Sequence, residues 1–216
     1  MSSTAADLAR ALHHAADLLV GRGHEEQALE DARRLVEAAN ELLIQGEELT
    51  PEHRVLVFAT EMVAELGAPV PQKGEYFDAF SLSPFSGASN ALRPKEITYQ
   101  RVGDEVRAEM VAGIAYEGAT GRAHGGLLAA VFDDLMGALQ RIIGHHGFTR
   151  TLDVSYLGPV PIDEPVIFVA RLESVQERTF TLTSEVTHNG EVVATAEAVF
   201  TKVDFSRLER GAAAEG

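Results

Sequence analysis

The sequence predicts an α+β fold in which an antiparallel sheet wraps around one long central helix, behind an N-terminal helical extension. Three observations carry this reading. Residues 1–67 place apolar side chains at helical spacing and show no strand pattern. From Lys95 onward the pattern changes to strands, two before and four after a single helix running from about 125 to 143. A long antiparallel sheet with few helices must cover its second face or curl around something, and that apolar helix is the natural centre.

The elements follow in order. Thr4 can cap a first helix with Leu8, Ala11, Leu12, Ala15, Leu18 and Leu19 on one face. A second helix from about His24 to Gln45 carries Leu29, Ala32, Leu35, Val36, Ala39, Leu42 and Leu43 and stops at Gly46. Thr50-Pro51-Glu52 starts a third, with a capping Thr and Pro at the first helical position, and Val55, Phe58, Met62 and Leu66 follow before Gly67. Residues 68–94 are rich in Pro, Gly and Ser and read as a linker. Phe77, Phe80 and Phe85 predict that it docks on the next domain, since a free linker rarely carries three phenylalanines.

The main domain spans 95–205. Strands are expected at 95–101 and 105–115 around the turn Gly103-Asp104, then the helix ending at Gly144, then strands at 149–157, 165–175, 178–188 and 191–203. In the third of these four, Phe180, Leu182, Ser184 and Val186 share one face. Asn189-Gly190 is a strong two-residue hairpin signal. Residues 206–216 read as a flexible tail.

Composition excludes several classes. The chain has 216 residues, enough for one domain plus an appendage, with 18 basic and 33 acidic residues for a net charge of −15. That balance opposes nucleic-acid binding, which needs a basic footprint. There is no cysteine, so disulfides, thiolate metal sites and a cysteine nucleophile are excluded. The N-terminus lacks the pattern of a secretion signal, and the longest apolar run, Leu127 to Phe132, is far short of the roughly 20 residues that cross a bilayer. The expectation is a soluble, cytoplasmic protein with no membrane partner. His13-His14 and His145-His146 are adjacent pairs, which do not share a helix face. No metal site and no cofactor are expected.

The chemistry concentrates in His124-Gly125-Gly126-Leu127-Leu128-Ala129-Ala130-Val131-Phe132-Asp133-Asp134. A glycine pair opens the helix, where backbone N–H groups are free and the helix dipole is positive. Two adjacent carboxylates sit among apolar residues, where losing water costs several kcal/mol unless compensated. Glycines at such a turn can also serve only for positive φ. The two acids favour a site, because amide donors and a carboxylate are the minimum equipment for hydrolysing an acyl group.

Tyr116-Glu117-Gly118-Ala119-Thr120-Gly121-Arg122-Ala123-His124-Gly125-Gly126, the helix through Asp133-Asp134 to Gly137, and Thr149 through Tyr156-Leu157-Gly158-Pro159 together resemble the hotdog-fold acyl-CoA thioesterases. The subgroup is the one that includes the phenylacetate-pathway enzymes. The resemblance covers roughly residues 85–203 and leaves the N-terminal helices outside. It implies hydrolysis of acyl-CoA thioesters to free acid and CoA. It also implies that the carboxylate nine residues after the histidine, Asp133, is base or nucleophile. Asp134 is its neighbour, about 100° away around the helix, and spacing favours Asp133. The resemblance further implies that Thr149 orients the lytic water, that Gly125 or Gly126 donates the N–H that polarises the thioester carbonyl, and that His124 shapes the loop.

Gly126 and Asp133 are roughly 10 Å apart along one helix axis at about 1.5 Å per residue, too far for both to serve one thioester. The site should therefore combine two subunits, in a homodimer or a homotetramer built as a dimer of dimers, as the resemblance also implies. Arg122, Arg150 and Arg141 are candidates for the CoA phosphates, with Asp134 a further candidate for substrate contact, and Glu117 could supply a second acid. Two other functions stay open. One is a hydratase or dehydratase on the same fold, which would pair a catalytic His with an acid. The other is a non-catalytic acyl-CoA sensor whose N-terminal helices bind DNA. The net charge of residues 1–66, −8 from 5 basic and 13 acidic, opposes the DNA-binding version and favours an oligomerisation or lid module.

Overall fold

A computed structural model describes residues 3–46, 50, 68–78, 80 and 83–203. The helix expected over 50–67 and the tail at 206–216 lie outside the described residues, apart from Thr50. Helices α1 (Ser3–Gly21) and α2 (Glu26–Leu43) precede the sheet. The strands are β1 (Tyr76–Phe77), β2 (Glu96–Val102), β3 (Glu105–Val111), β4 (Gly147–Tyr156), β5 (Pro165–Val175), β6 (Thr179–His188) and β7 (Glu191–Lys202). A 3₁₀ turn, Ile114–Tyr116, follows β3, and the central helix α3 covers Gly125–Ile143.

The seven strands form one antiparallel sheet in the order β1-β2-β3-β5-β6-β7-β4. Local chemistry explains its joints. Asn189 and Gly190 take φ of 52° and 85°, the two left-handed positions of a tight hairpin turn between β6 and β7. Gly144 takes φ of 68° and ends α3, its N–H bonding to Gln140 O. Along β6 the period-two pattern holds, with Phe180, Leu182, Ser184 and Val186 all buried and the Ser184 hydroxyl donating to Val169 O at 2.8 Å.

The sheet curls around α3. Leu127, Leu128, Val131, Phe132, Leu135, Met136, Ala138 and Leu139 are buried in one core with the inward residues of β2, β3, β5, β6 and β7. Phe132 meets Phe168 edge to face at 5.0 Å, and Phe180 stacks on Phe200 at 5.2 Å. The two-residue strand β1 was not expected within the linker. It pairs Tyr76 with Gln100 and Phe77 with Tyr99, and Phe77 and Phe85 pack on the core.

The N-terminal helices behave differently from each other. α2 has no buried residue, with Leu35 at 74% and Leu42 at 70% exposed. It starts at Glu26, after the extended cap residue Glu25, which makes no side-chain capping bond. α1 packs against the 3₁₀ turn.

Stability should depend on the core and not on α2. Phe132→Ala removes a fully buried ring and should cost about 3–5 kcal/mol in urea unfolding. Leu35→Ala, on the exposed face of α2, should stay within about 0.5 kcal/mol.

Candidate active site

The two neighbouring acids of α3 point toward opposite ends of the strand order, Asp133 to the edge strand β4 and Asp134 to β2. Asp133 turns toward β4, where Thr149 Oγ1 donates to its Oδ1 at 2.7 Å. Asp134 turns toward β2 and the segment before it. The Tyr99 hydroxyl donates to its Oδ2 at 2.8 Å, and the Ser83 hydroxyl donates to its Oδ1. Ser83 Oγ also receives the N–H groups of Phe85 and Ser86, which ties the 83–86 turn to the helix.

Thr149 reaches Asp133 because of a bulge. Leu152 and Val154 on β4 pack on the core. Thr149 lies an odd number of residues before Leu152, so in a regular strand it would face the other way. The register shift between Thr149 and Thr151 inserts Arg150 as an extra residue and turns Thr149 to the helix side. Arg150 itself is exposed.

Electrostatics separates the acids further. Burial pushes the Asp134 carboxyl above the usual range. Hydroxyls of Ser83, Ser86 and Tyr99 pull it back, and the Asp133 charge raises it again. The Tyr99 phenol is pushed well up, by burial first and then by the Asp134 charge. Both Asp134 oxygens thus have internal partners, which departs from the expected substrate contact. Asp133 has one oxygen on Thr149 and no partner on the other among the described residues.

At the start of α3 the loop is held by successive backbone bonds. Ala123 N–H bonds to Val160 O and His124 N–H to Tyr116 O, each at 2.8 Å. His124 is the N-cap: its Nδ1 accepts the Gly126 N–H at 2.9 Å, while the Tyr156 hydroxyl donates to Gly125 O at 2.8 Å. The peptide between Gly125 and Gly126 is therefore clamped at both ends. This alters one expectation, since the Gly126 amide is occupied by its own capping histidine. The Gly125 N–H, between two pinned peptides, has no partner among the described residues.

Neither glycine takes positive φ. At Gly125 a Cβ would crowd the Tyr156 ring at 3.1 Å, and at Gly126 a Cβ would lie 2.9 Å from His124 Nδ1, so that the cap would have to shift. A cleft of about 440 Å³ opens beside Gly125, between the 118–125 loop and the 156–160 turn; Arg122, His124, Leu128 and Tyr156 line it.

Of the expected cations, Arg122 borders this cleft and Arg150 does not. Arg141 lies over the Phe77 ring at 5.1 Å and is a packing residue. Glu117 accepts the Gly121 N–H and shapes the loop. No group of three or more metal-ligating side chains occurs among the described residues. Sequence reasoning did not give site roles to Tyr156, Tyr99 and Ser83. Tyr156 carried a signal, because it closes the strand whose start supplies Thr149; Ser83 and Tyr99 carried none, lying 51 and 35 residues from Asp134.

The buried acid should leave a mark on stability. A raised carboxyl pKa means that folded Asp134 keeps its proton to higher pH than the unfolded chain does. Its contribution is therefore greatest below the ordinary carboxylate pKa and is lost as pH rises through the folded value. Urea unfolding from about pH 4 to 7 should show this decline in the native chain and not in Asp134→Asn, relative to each other. Asp134→Ala leaves two hydroxyls without their acceptor and should cost about 1–3 kcal/mol.

Comparison with known proteins agrees with the geometry. Residues 120–195 match the family model described as the thioesterase superfamily. Among solved structures, a thioesterase superfamily protein aligns at 26% identity and a TM-score of 0.55, covering 83% of this chain and 92% of its own. A hypothetical thioesterase protein from Streptococcus pneumoniae TIGR4, solved with coenzyme A, aligns at 19% identity and a TM-score of 0.48, covering 51% of this chain and 88% of its own. A mutant of a phenylacetic acid degradation protein from Thermus thermophilus aligns at 22% and 0.44, covering 46% and 86%. No functionally curated protein matches the chain. The segment from the turn before the central helix to β7 is thus similar to the thioesterase superfamily, and the sheet with its central helix has the hotdog fold of the aligned thioesterase superfamily structure.

Proposed function

We propose that this protein hydrolyses acyl-CoA thioesters, with Asp133 as the reacting carboxylate and the Gly125 N–H as the oxyanion donor. The observation that carries the reading is the divergence of the two acids. Asp134 is consumed by internal hydroxyls, whereas Asp133 keeps one oxygen unpartnered among the described residues and has the other oriented by Thr149. A carboxylate held by one donor keeps lone pairs for a water molecule.

In the proposed reaction, Asp133 takes a proton from water while the water oxygen attacks the thioester carbonyl. Negative charge develops on the carbonyl oxygen, which the Gly125 N–H and the positive end of α3 stabilise. The carbon–sulfur bond then breaks, and the proton passes from Asp133 to the departing thiolate. The cleft beside Gly125 suits the thiol-side arm of the substrate, and Arg122 at its wall suits a phosphate.

One protomer cannot serve both reacting positions. Asp133 lies eight residues along α3 from Gly125, about 12 Å of axial rise, while a carbonyl carbon and its oxygen are only about 1.2 Å apart. We therefore place the Asp133 of one protomer against the Gly125 N–H of its partner, making a dimer the smallest active unit. The edge position of β4 supports this. It carries Thr149 and Tyr156, and among the described residues no further strand follows it in the sheet, which suits a second copy there.

The test is a thioester panel followed with a free-thiol reagent, for which a chain without cysteine gives no background. Asp133→Asn should lower kcat by about 10²–10⁴ with KM little changed. Thr149→Val should lower it about tenfold, through loss of one orienting bond. Asp134→Asn should remain within a few-fold of the native rate. Native-like turnover by Asp133→Asn would overturn the assignment.

A further inference from the structure

Helix α1 meets the domain with Ala9 and two polar side chains, His13 and Asp17, and leaves Leu8, Leu12 and Leu19 exposed and Leu18 half-buried. Leu12 and Leu19 are 42% and 60% exposed, whereas His13 is 8% exposed at the contact. Asp17 Oδ1 accepts the Ala115 N–H at 2.9 Å. His13 Nε2 lies 3.4 Å from Asp17 Oδ2, and its ring stacks on Tyr116 with centroids 6.0 Å apart. The fit is close. A Cβ on Gly113 would come within 2.6 Å of both Asp17 carboxylate oxygens, and one on Gly21 within 3.1 Å of Ile114. Hydrophobic adhesion alone would turn Leu8, Leu12 and Leu19 inward as well. A partly buried carboxylate received by one backbone N–H is instead specific in position and costly to misplace.

The place of docking is informative. The Tyr116 carbonyl, in the turn that α1 grips, accepts the His124 N–H at 2.8 Å. His124 in turn caps Gly126. A short series of bonded contacts thus runs from Asp17 through Ala115, Tyr116 and His124 to the peptides on either side of the Gly125 N–H.

We infer that α1 is a positioning arm for the start of α3, in which Asp17 fixes the 113–117 turn, His13 packs on Tyr116, and the pinned turn holds the His124 cap and the Gly125 amide in place. Asp17 and His13 are positioning residues and touch no reacting atom. This inference rests on the thioesterase reading given above.

The test uses the full chain. Asp17→Ala removes the acceptor, and Gly113→Ala drives the carboxylate away from the opposite side. Each should lower kcat about tenfold with KM within about twofold, and Asp17→Asn, which keeps an acceptor oxygen, should restore most of the loss. Hydrogen exchange should quicken across residues 113–126 in the first two variants and stay unchanged in β5, β6 and β7. Native kcat in both Asp17→Ala and Gly113→Ala would overturn the arm, as would a loss confined to KM. If the native chain cleaves no thioester, the functional reading fails, and exchange still decides the arm: unchanged protection across 113–126 in both variants refutes it.

Discussion

The structure depends on one constraint: a helix enclosed by a curled sheet carries two consecutive carboxylates, and each must find a partner. Neighbouring helix positions differ by about 100°, so the pair cannot share one. Asp134 finds three hydroxyl-bearing residues on the β2 side, and Asp133 finds one threonine on the edge strand β4. The rest of the domain supplies these partners. The 83–86 turn is tied down by the same serine that meets Asp134. The bulge at Arg150 exists where Thr149 must be turned inward. An internal acid and an available acid thus arise from one dipeptide, through the strands each can reach.

The other end of α3 is organised by the same need to satisfy polar groups. A helix start leaves N–H groups unpaired. Here His124 caps one of them and Tyr156 clamps the peptide that carries it, leaving the Gly125 N–H, beside the cleft, without a partner among the described residues. The glycines make room for this arrangement. At Gly125 the space is taken by an aromatic ring, and at Gly126 by the capping imidazole. Neither role involves the left-handed backbone that glycine pairs often serve.

Much of the domain was legible because it is encoded locally. The α3 bounds follow from the glycine turn and Gly144, β6 from its period-two pattern, and the last hairpin from Asn189-Gly190. Fold class follows from element order, since a single apolar helix must be the object the strands enclose. What was not legible is what distant segments do to one another. No pattern near Ser83 or Tyr99 announces that both reach Asp134. A bulge is an irregularity in pairing, so a period-two reading misses it, although the family resemblance had already singled out Thr149. The contact of α1 was hidden for a related reason. An amphipathic pattern draws attention to leucines, and this helix docks through Asp17 and His13.

The central claim is that the carboxylate and the amide donor of one site come from different protomers. Subunit complementation tests it most directly. Gly125→Pro disables the helix-start end of its own chain's site, because it removes the proposed donor and its ring crowds Tyr156, while His124, at φ −64° and ψ 134°, already has the backbone that precedes proline. Asp133→Asn removes the acid. Each variant alone should be inactive. Co-expressed chains should form mixed dimers with one intact site of two, recovering about a quarter of native activity at random pairing. Absence of any recovery in verified mixed dimers would contradict the account, because both groups would then belong to one chain.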